Sequence, residues 1–300
     1  MIAYIVLAHT NMEQLKKLIS KLGDNKIIIH IDKKVDRNEF LKLKNSFLKN
    51  TNITFIDKRY NCVWGDFSIV RATNECIKYL VDNDLDFSHA ILLSGMDFPI
   101  KSPQYINKFL NENKNKNFIE YSLDNKYKDD KRYSIYYFKF ANLFTNSKLN
   151  KLAFRIQYKL SYTLNIKRNH PVFDKVYFGS QWWVLTKNTL RELYNFIKDN
   201  PNYIKFYKNT NIPDEFFYQT IIGNNFKKNT ENCNLHFMQW EKDSWHPNIF
   251  TIKDKNILLS SGDNKLFARK FDEKVDEKII EFLETLNENE EWLCIRLVLL

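Results

Sequence analysis

The run Ala90-Ile-Leu-Leu-Ser-Gly-Met-Asp-Phe-Pro-Ile-Lys101 joins four uninterrupted apolar residues to a rigid turn. A short apolar run bounded by turn residues reads as a buried strand, and Ala90–Leu93 delivers Asp97 just past its carboxyl end. Two earlier runs repeat the arrangement: Ile2–Ala8 stops at His9, and Ile27–Ile31 stops at Asp32. Ile53–Ile56 is a further strand. Between the strands, Thr10-Asn-Met-Glu13 reads as a capping box that opens a helix ending near Gly23. A polar helix covers Arg37–Leu48, and Phe67–Val81 places Phe67, Val70, Ala72, Cys76 and Leu80 at helical spacing. Strands alternating with crossover helices predict an α/β fold with a mostly parallel central sheet flanked by helices. Such sheets bind ligands outside the carboxyl ends of their strands, which singles out His9, Asp32 and Asp97 together.

The composition, 44% hydrophobic and 27% charged over 300 residues, is that of a globular chain. No repeat or Gly/Pro linker divides it, so a single domain 1–300 is expected. Its parts are a nucleotide-binding half (1–121), a basic insertion (122–170) and an acceptor and catalytic half (171–300). No apolar stretch reaches the roughly 18 residues of a membrane span. The first apolar run lacks the basic flank of a signal peptide. Cys62, Cys76, Cys233 and Cys294 are scattered and form no CxxC pair, which argues against a zinc knuckle or a disulfide framework. A reducing, cytoplasmic location is the expectation. The net charge of +10 suits either a solubilising lysine-rich surface or an anionic partner. Part of it is local: Lys148, Lys151, Arg155, Lys159, Lys167 and Arg168 fall within 146–170, which contains no acid.

The second half offers a strand over Val176–Leu185, a helix over Asn188–Ile197, and a helix opened by Pro213 that runs to about Ile222. A strand Leu235–Trp240 and a last helix Val275–Leu286 follow. Asp214 and Glu215 fall in the first turn of the Pro213 helix. There they either complement the helix dipole or place an ionised carboxylate in a cleft, where it takes a proton from an attacking hydroxyl. The pair Arg269-Lys270 sits between apolar neighbours, as a solvated basic step or as fixed charge for an anionic leaving group. Trp182, Trp183, Trp240 and Trp245 supply rings for sugar C–H faces or simply fill the core. The D-x-D patterns Asp82-Asn-Asp84 and Asp84-Leu-Asp86 invite a metal site, but they precede the strand Ala90–Leu93, at its amino end. Ligand groups gather at the other end, so no metal is expected there.

Seven pieces occur in one order along nearly the whole chain: Ile5-Val-Leu-Ala-His9, Ile29-His-Ile-Asp-Lys33, Val63-Trp-Gly-Asp-Phe-Ser68, Ser94-Gly-Met-Asp-Phe-Pro-Ile-Lys101, Gly179-Ser-Gln-Trp-Trp183, Pro213-Asp-Glu215 and Phe267-Ala-Arg-Lys-Phe-Asp272. Together they resemble the core-2/I-branching β-1,6-N-acetylglucosaminyltransferases (glycosyltransferase family 14, which includes peptide O-xylosyltransferases). The resemblance implies a GT-A-like fold that has lost the metal-binding D-x-D. It implies Glu215 as general base and a UDP-sugar donor whose diphosphate meets Lys270. His9, Asp32 and Asp97 would be donor-side. Trp182, Asp214 and Trp240 would be acceptor-side, with Glu120, Lys128 and Arg132 as weaker matches. A second diphosphate cation of the family falls near His246 here, and Arg269 would compensate.

The expected reaction is one inverting displacement without cofactor or metal, forming a β-linkage on a glycan hydroxyl in bacterial surface polysaccharide synthesis. N-acetylglucosamine is the leading donor sugar, and xylose and glucose stay open. The rival of another class is a nucleic-acid-binding protein, which predicts a steep salt dependence; no RNP, helix-turn-helix or zinc pattern supports it. Leu149, Leu152, Phe154 and Ile156 interleave with the cations of 146–170. That segment is therefore either a solvated loop or a helix packed on the domain, or else a peripheral membrane contact on the inner face of the cell membrane, toward a lipid-linked acceptor.

Overall fold

A computed structural model describes residues 1–123, 131–137, 147–164, 166–241, 244 and 246–286. Lys128, Trp245 and Cys294, and the side chains of Lys148, Lys151 and Phe154, lie outside the described residues. The strands are β1 (Ala3–Ala8), β2 (Lys26–Ile31), β3 (Ile53–Phe55), β4 (His89–Ser94), β5 (Asp97–Pro99), β6 (Asn117–Ile119), β7 (Trp183–Thr186), β8 (Thr230–Glu231), β9 (His236–Met238) and β10 (Phe267–Arg269). The helices are α1 (Met12–Lys21), α2 (Arg37–Ser46), α3 (Phe67–Asp82), α4 (Pro103–Glu112), α5 (Lys131–Ser134), α6 (Ser147–Thr163), α7 (Lys187–Asp199), α8 (Pro201–Tyr207), α9 (Phe217–Asn225), α10 (Lys255–Leu259) and α11 (Lys278–Leu286).

Seven strands form one sheet in the order β3-β2-β1-β4-β7-β6-β8. β1 runs parallel to β2 and β4, β2 parallel to β3, and β6 parallel to β8, while β7 alone runs antiparallel to its neighbours β4 and β6. The expected mostly parallel α/β sheet is therefore present, and both halves of the chain contribute strands to it. Its inner strands are buried on both faces, which explains their continuous rather than alternating apolar sequence. Ile5, Ile28 and Leu92 pack with residues of α3, α7 and α9. Tyr4, Ile29 and Leu93 pack with residues of α1, α2 and α11 on the other side. No described helix is long and apolar enough to cross a membrane.

A second sheet of three strands, β5-β10-β9, was not anticipated. Arg269 pairs with Asp97 across the antiparallel β5–β10 ladder and with Met238 across the parallel β10–β9 ladder. The turn read after β4 in fact contains β5, one of the three strands of this sheet.

Three local expectations are corrected. The cap of α1 is Asn11, in a left-handed conformation (φ 52°), and it makes no side-chain cap bond. Its Nδ2 donates instead to Asp272 (2.7 Å), and Glu13 pairs with Lys16, so the capping box does not form. The helix expected from Pro213 to Ile222 is split into a 3-10 turn, Pro213–Glu215, and α9. The Glu215 carbonyl accepts the Gly179 N–H (2.9 Å), a tertiary bond that takes it out of the helical ladder. Of the strand expected over Val176–Leu185, only its end joins β7. Phe178 forms an isolated bridge with Ser122, and Gly179 presses on the Glu120 backbone. A Cβ at position 179 would fall 1.8 Å from the Glu120 carbonyl oxygen. Gly179→Ala must displace backbone on one side or the other, so a loss of about 1–3 kcal/mol is expected in chemical denaturation. An unchanged midpoint would mean that this contact relaxes freely.

Candidate active site

The first group of candidate residues lies at the carboxyl ends of β1, β2 and β4. Asp32 is buried, and its two oxygens accept the backbone N–H groups of Lys34 (2.8 Å) and Cys62 (3.2 Å). It organises the loop after β2, and its carboxylate faces backbone rather than open cleft. His9 stands at the end of β1, where partial desolvation lowers its pKa; Asp32 opposes that shift, while Arg269, Lys270 and Lys34 add to it. His9 is thus close enough to Asp32, Arg269 and Lys270 to feel the charge of each.

Asp97 has no solvent exposure. One oxygen accepts the Ser94 N–H (2.5 Å) and the other accepts Arg269 (3.0 Å). Arg269 also donates to the Ser94 hydroxyl, and its guanidinium lies 4.9 Å above the Trp182 ring. Trp182 in turn stacks on His236 (5.4 Å). The Nε2 of His236 is 4.0 Å from Asp97, but burial pushes the His236 pKa down, so Arg269 carries the compensating charge. Asp97 and Trp182 are therefore placed to aim Arg269. Lys270, the next residue, is half-buried; desolvation first, then Arg269, lowers its pKa, and Asp272 opposes the change. Among the described residues no ion pair of Lys270 is found, which leaves its charge available to an anion.

The second group surrounds the 3-10 turn Pro213–Glu215. Ile212, ahead of the turn, takes a left-handed conformation (φ 52°). Its N–H donates to the Gly65 carbonyl (2.9 Å), and the Asn211 N–H donates to the Arg132 carbonyl (2.8 Å). The turn is thus gripped from the Val63-Trp-Gly-Asp segment and from α5. Glu215 is partly exposed and accepts Arg132 at 3.0 Å. That guanidinium lies against Phe178 (4.4 Å) and Phe216 (4.7 Å), two rings that also touch each other (5.4 Å). Asp214 is buried, its Oδ1 has no hydrogen-bond partner among the described residues, and burial raises its pKa to about 6. The expected pair of ionised carboxylates therefore resolves into two unlike groups: a paired Glu215, and an Asp214 that keeps its proton up to mildly acidic pH. Gln219, which the sequence reading missed, donates to the carbonyls of Ser180 (2.6 Å) and Asp214 (3.2 Å) and ties the Gly179-Ser-Gln-Trp segment to the turn.

Glu120, Trp182, Asp214, Glu215, Trp240 and Arg269 all line one cleft of about 560 Å³. Trp64 and Trp240 are exposed on it, 60% and 55%, as sugar-stacking rims would be. Trp183 is fully buried core. Burial raises the pKa of Glu120, with Lys265 opposing. His246 lies on the same cleft. Trp64 was missed as a site residue, although the Val63-Trp-Gly-Asp motif was its signal. A second cleft, about 630 Å³, follows the outer edge at β3. Its charges neutralise one another in the pairs Lys44–Asp57, Lys58–Glu75 and Lys78–Asp82, so the inner cleft is the chemical one. Asp84 and Asp86 lie before β4 and pair with Lys187 and Arg191 on α7, away from that cleft. Among the described residues no group of three His, Cys, Asp or Glu is arranged to hold a metal.

The sequence profile described as Core-2/I-Branching enzyme matches residues 2–259, a span that contains Glu215 and most of the cleft. The chain belongs to the core-2/I-branching enzyme family. It is 25% identical to human xylosyltransferase 2 over 308 residues, covering 94% of this chain and 33% of that protein. It is 22% identical to a zebrafish β-1,3-galactosyl-O-glycosyl-glycoprotein β-1,6-N-acetylglucosaminyltransferase 4, covering 99% of this chain and 72% of that one. The chain thus spans about a third of the length of the xylosyltransferases it matches. A crystal structure of Staphylococcus aureus TarS 1-349 with UDP-GlcNAc overlaps 40% of this chain and 34% of that one, with a TM-score of 0.30 and 12% identity. This match favours the enzyme expectation over its nucleic-acid rival.

Two outcomes test this geometry. Asp97→Asn leaves Arg269 without its buried partner. Because Arg269 keeps some solvent contact, the expected loss is about 2–3 kcal/mol, below that of a fully buried pair, by denaturant titration; no loss would show the pair to be dispensable. Asp214 releases its proton near pH 6 when folded, against an ordinary value of 3.8. The folded form therefore binds more protons between about pH 4 and 6, and this group lowers stability as pH rises through that window, by on the order of 3 kcal/mol in all. The stability of Asp214→Asn minus that of the parent should grow from pH 4 to 6 and level off above. A flat difference would contradict the burial effect.

Proposed function

We propose that this chain is an inverting, metal-independent glycosyltransferase that moves a sugar from a UDP-sugar to a glycan hydroxyl. The observation that carries the reading is the placement of Glu215 and Arg269 on one cleft, with Lys270 adjoining. Glu215 removes the proton of the acceptor hydroxyl as its oxygen attacks the anomeric carbon. The bond from that carbon to the diphosphate oxygen breaks on the opposite face, and an α-linked donor yields a β-linked product. UDP leaves with its charge met by Lys270 and Arg269, fixed cations that take the part a metal ion plays elsewhere. Arg132 holds the Glu215 carboxylate at the cleft wall and yields as the acceptor enters. Asp214, protonated in mildly acidic solution, is a hydrogen-bond donor to an acceptor oxygen. Trp64 and Trp240 offer ring faces to its sugars.

N-acetylglucosamine is the donor we favour, in keeping with the relative named for that transfer. Xylose is the second reading, favoured by the relatives named xylosyltransferases. Synthesis of a bacterial surface polysaccharide on the cytoplasmic side is the setting we propose. A panel of UDP-sugars with product linkage read by NMR separates the donors.

Titration of UDP in excess EDTA tests the metal-free site: binding should persist, and binding restored only by manganese would reject it. Lys270→Ala removes one charge-assisted bond, and UDP affinity should fall about 10- to 100-fold. Glu215→Gln should lower kcat by at least about 100-fold while UDP affinity stays near that of the parent. Retained turnover would take Glu215 out of the base role.

A further inference from the structure

The basic helix α6 presents an apolar stripe that nothing in the described structure covers. Leu149, Leu152, Ile156 and Leu160 recur at helical spacing and are 46%, 52%, 52% and 55% exposed, and Leu164 just beyond is 65% exposed. The helix is nonetheless fastened to the body by its other side. Ser161 is buried, Gln157 donates to the Tyr136 carbonyl, and Arg168 is buried past the helix end. There the Arg168 guanidinium donates to the carbonyls of Ile135 (3.0 Å), Asn209 (2.7 Å) and Phe206, and its N–H donates to the Ser134 carbonyl (2.8 Å). The stripe therefore faces outward on an anchored helix rather than on a loose one.

Charge identifies what covers the stripe. Arg155 and Lys159 are exposed, each one residue before a stripe position, and Lys167 is exposed beyond them. From 146 to 173 the sequence contains no Asp or Glu. An apolar stripe edged by cations and free of acids matches the boundary of an anionic lipid leaflet, where apolar side chains enter the acyl region and cations meet the headgroups. A protein partner with a matching face would need both an apolar groove and an acidic rim, and nothing in the structure specifies one. We propose that α6 docks this protein on an anionic membrane surface, lying in the interface plane without crossing it.

The position of α6 gives the docking a consequence for the cleft. The four-residue helix α5 carries both Ser134, which receives the Arg168 N–H, and Arg132, which holds Glu215. The membrane contact and the carboxylate are thus one short helix apart. Resting on the transferase reading above, this places the acceptor side of the cleft near the lipid surface, where a lipid-linked acceptor would be presented.

Co-sedimentation of the full chain with phosphatidylcholine vesicles, with and without about one third phosphatidylglycerol, tests the docking. The protein should pellet with the anionic vesicles only, and less as salt rises. Arg155→Gln with Lys159→Gln should weaken binding about 25-fold, at about fivefold per cation. Leu152→Glu with Ile156→Glu should abolish it. All variants should bind UDP as the parent does, so failure of docking and failure of the transferase reading are told apart by calorimetry. Equal pelleting with neutral vesicles would overturn the role of the cations. No pelleting would overturn the proposal, as would a parent dimer that the Glu variants convert to monomer without any vesicle binding, since that stripe would then join two copies of this chain.

Discussion

The buried contact between Asp97 and Arg269 is the constraint around which the site is arranged. A carboxylate with no solvent exposure is tolerable only when hydrogen bonds and an opposite charge compensate it. The Ser94 N–H and the Arg269 guanidinium do so, and each fixes a different part of the molecule. Ser94 ends a central strand of the large sheet, whereas Arg269 ends a strand of the small one. Asp97 and Arg269 face each other within the small sheet, and it is their shared contacts with Ser94 that lock this sheet to the large one, while the ion pair orients the cation over Trp182. Lys270 inherits its position from that lock.

The opposite wall of the cleft is held without buried charge pairing of this kind. The turn carrying Glu215 is gripped by backbone bonds to Gly65, Arg132 and Gly179. Gly179 can come so close to Glu120 only because it lacks a side chain. The result is a rigid turn that presents two adjacent carboxyl groups in unlike surroundings, one buried with a raised pKa and one partly exposed against a guanidinium. Adjacent acids in different environments titrate differently, and the proposed division between a base and a hydrogen-bond donor rests on that separation.

The core-2/I-branching family match covers one of these walls completely and the other in part. The matched span, residues 2–259, stops short of Arg269 and Lys270, so the donor role proposed for these cations rests on their place in the structure and on the Phe-Ala-Arg-Lys-Phe sequence itself. The aspartates at the amino end of β4 illustrate the converse. They carry a familiar metal-binding pattern, yet they serve as surface partners of Lys187 and Arg191, because sequence spacing alone does not bring a carboxylate to the ligand end of a sheet.

What the amino-acid sequence determined by itself was the existence and the parallel direction of the large sheet's first strands. Continuous apolar runs such as Ile27–Ile31 must be buried on both faces, and connections long enough for helices make them parallel. It also placed His9, Asp32 and Ser94 at strand ends, since that follows from where each run stops. Only the tertiary structure decided that Asp97 is a buried counter-ion, that Arg269 lies on its ladder, and that Arg132 reaches Glu215 from 83 residues away. It also broke the Pro213 helix, by giving the Glu215 carbonyl a distant partner in Gly179, and moved the cap of α1 to Asn11, whose side chain reaches Asp272. Periodicity reports which face of an element is apolar. Which distant atom satisfies a given carbonyl or carboxylate depends on how the elements pack, and no local stretch of sequence contains that information.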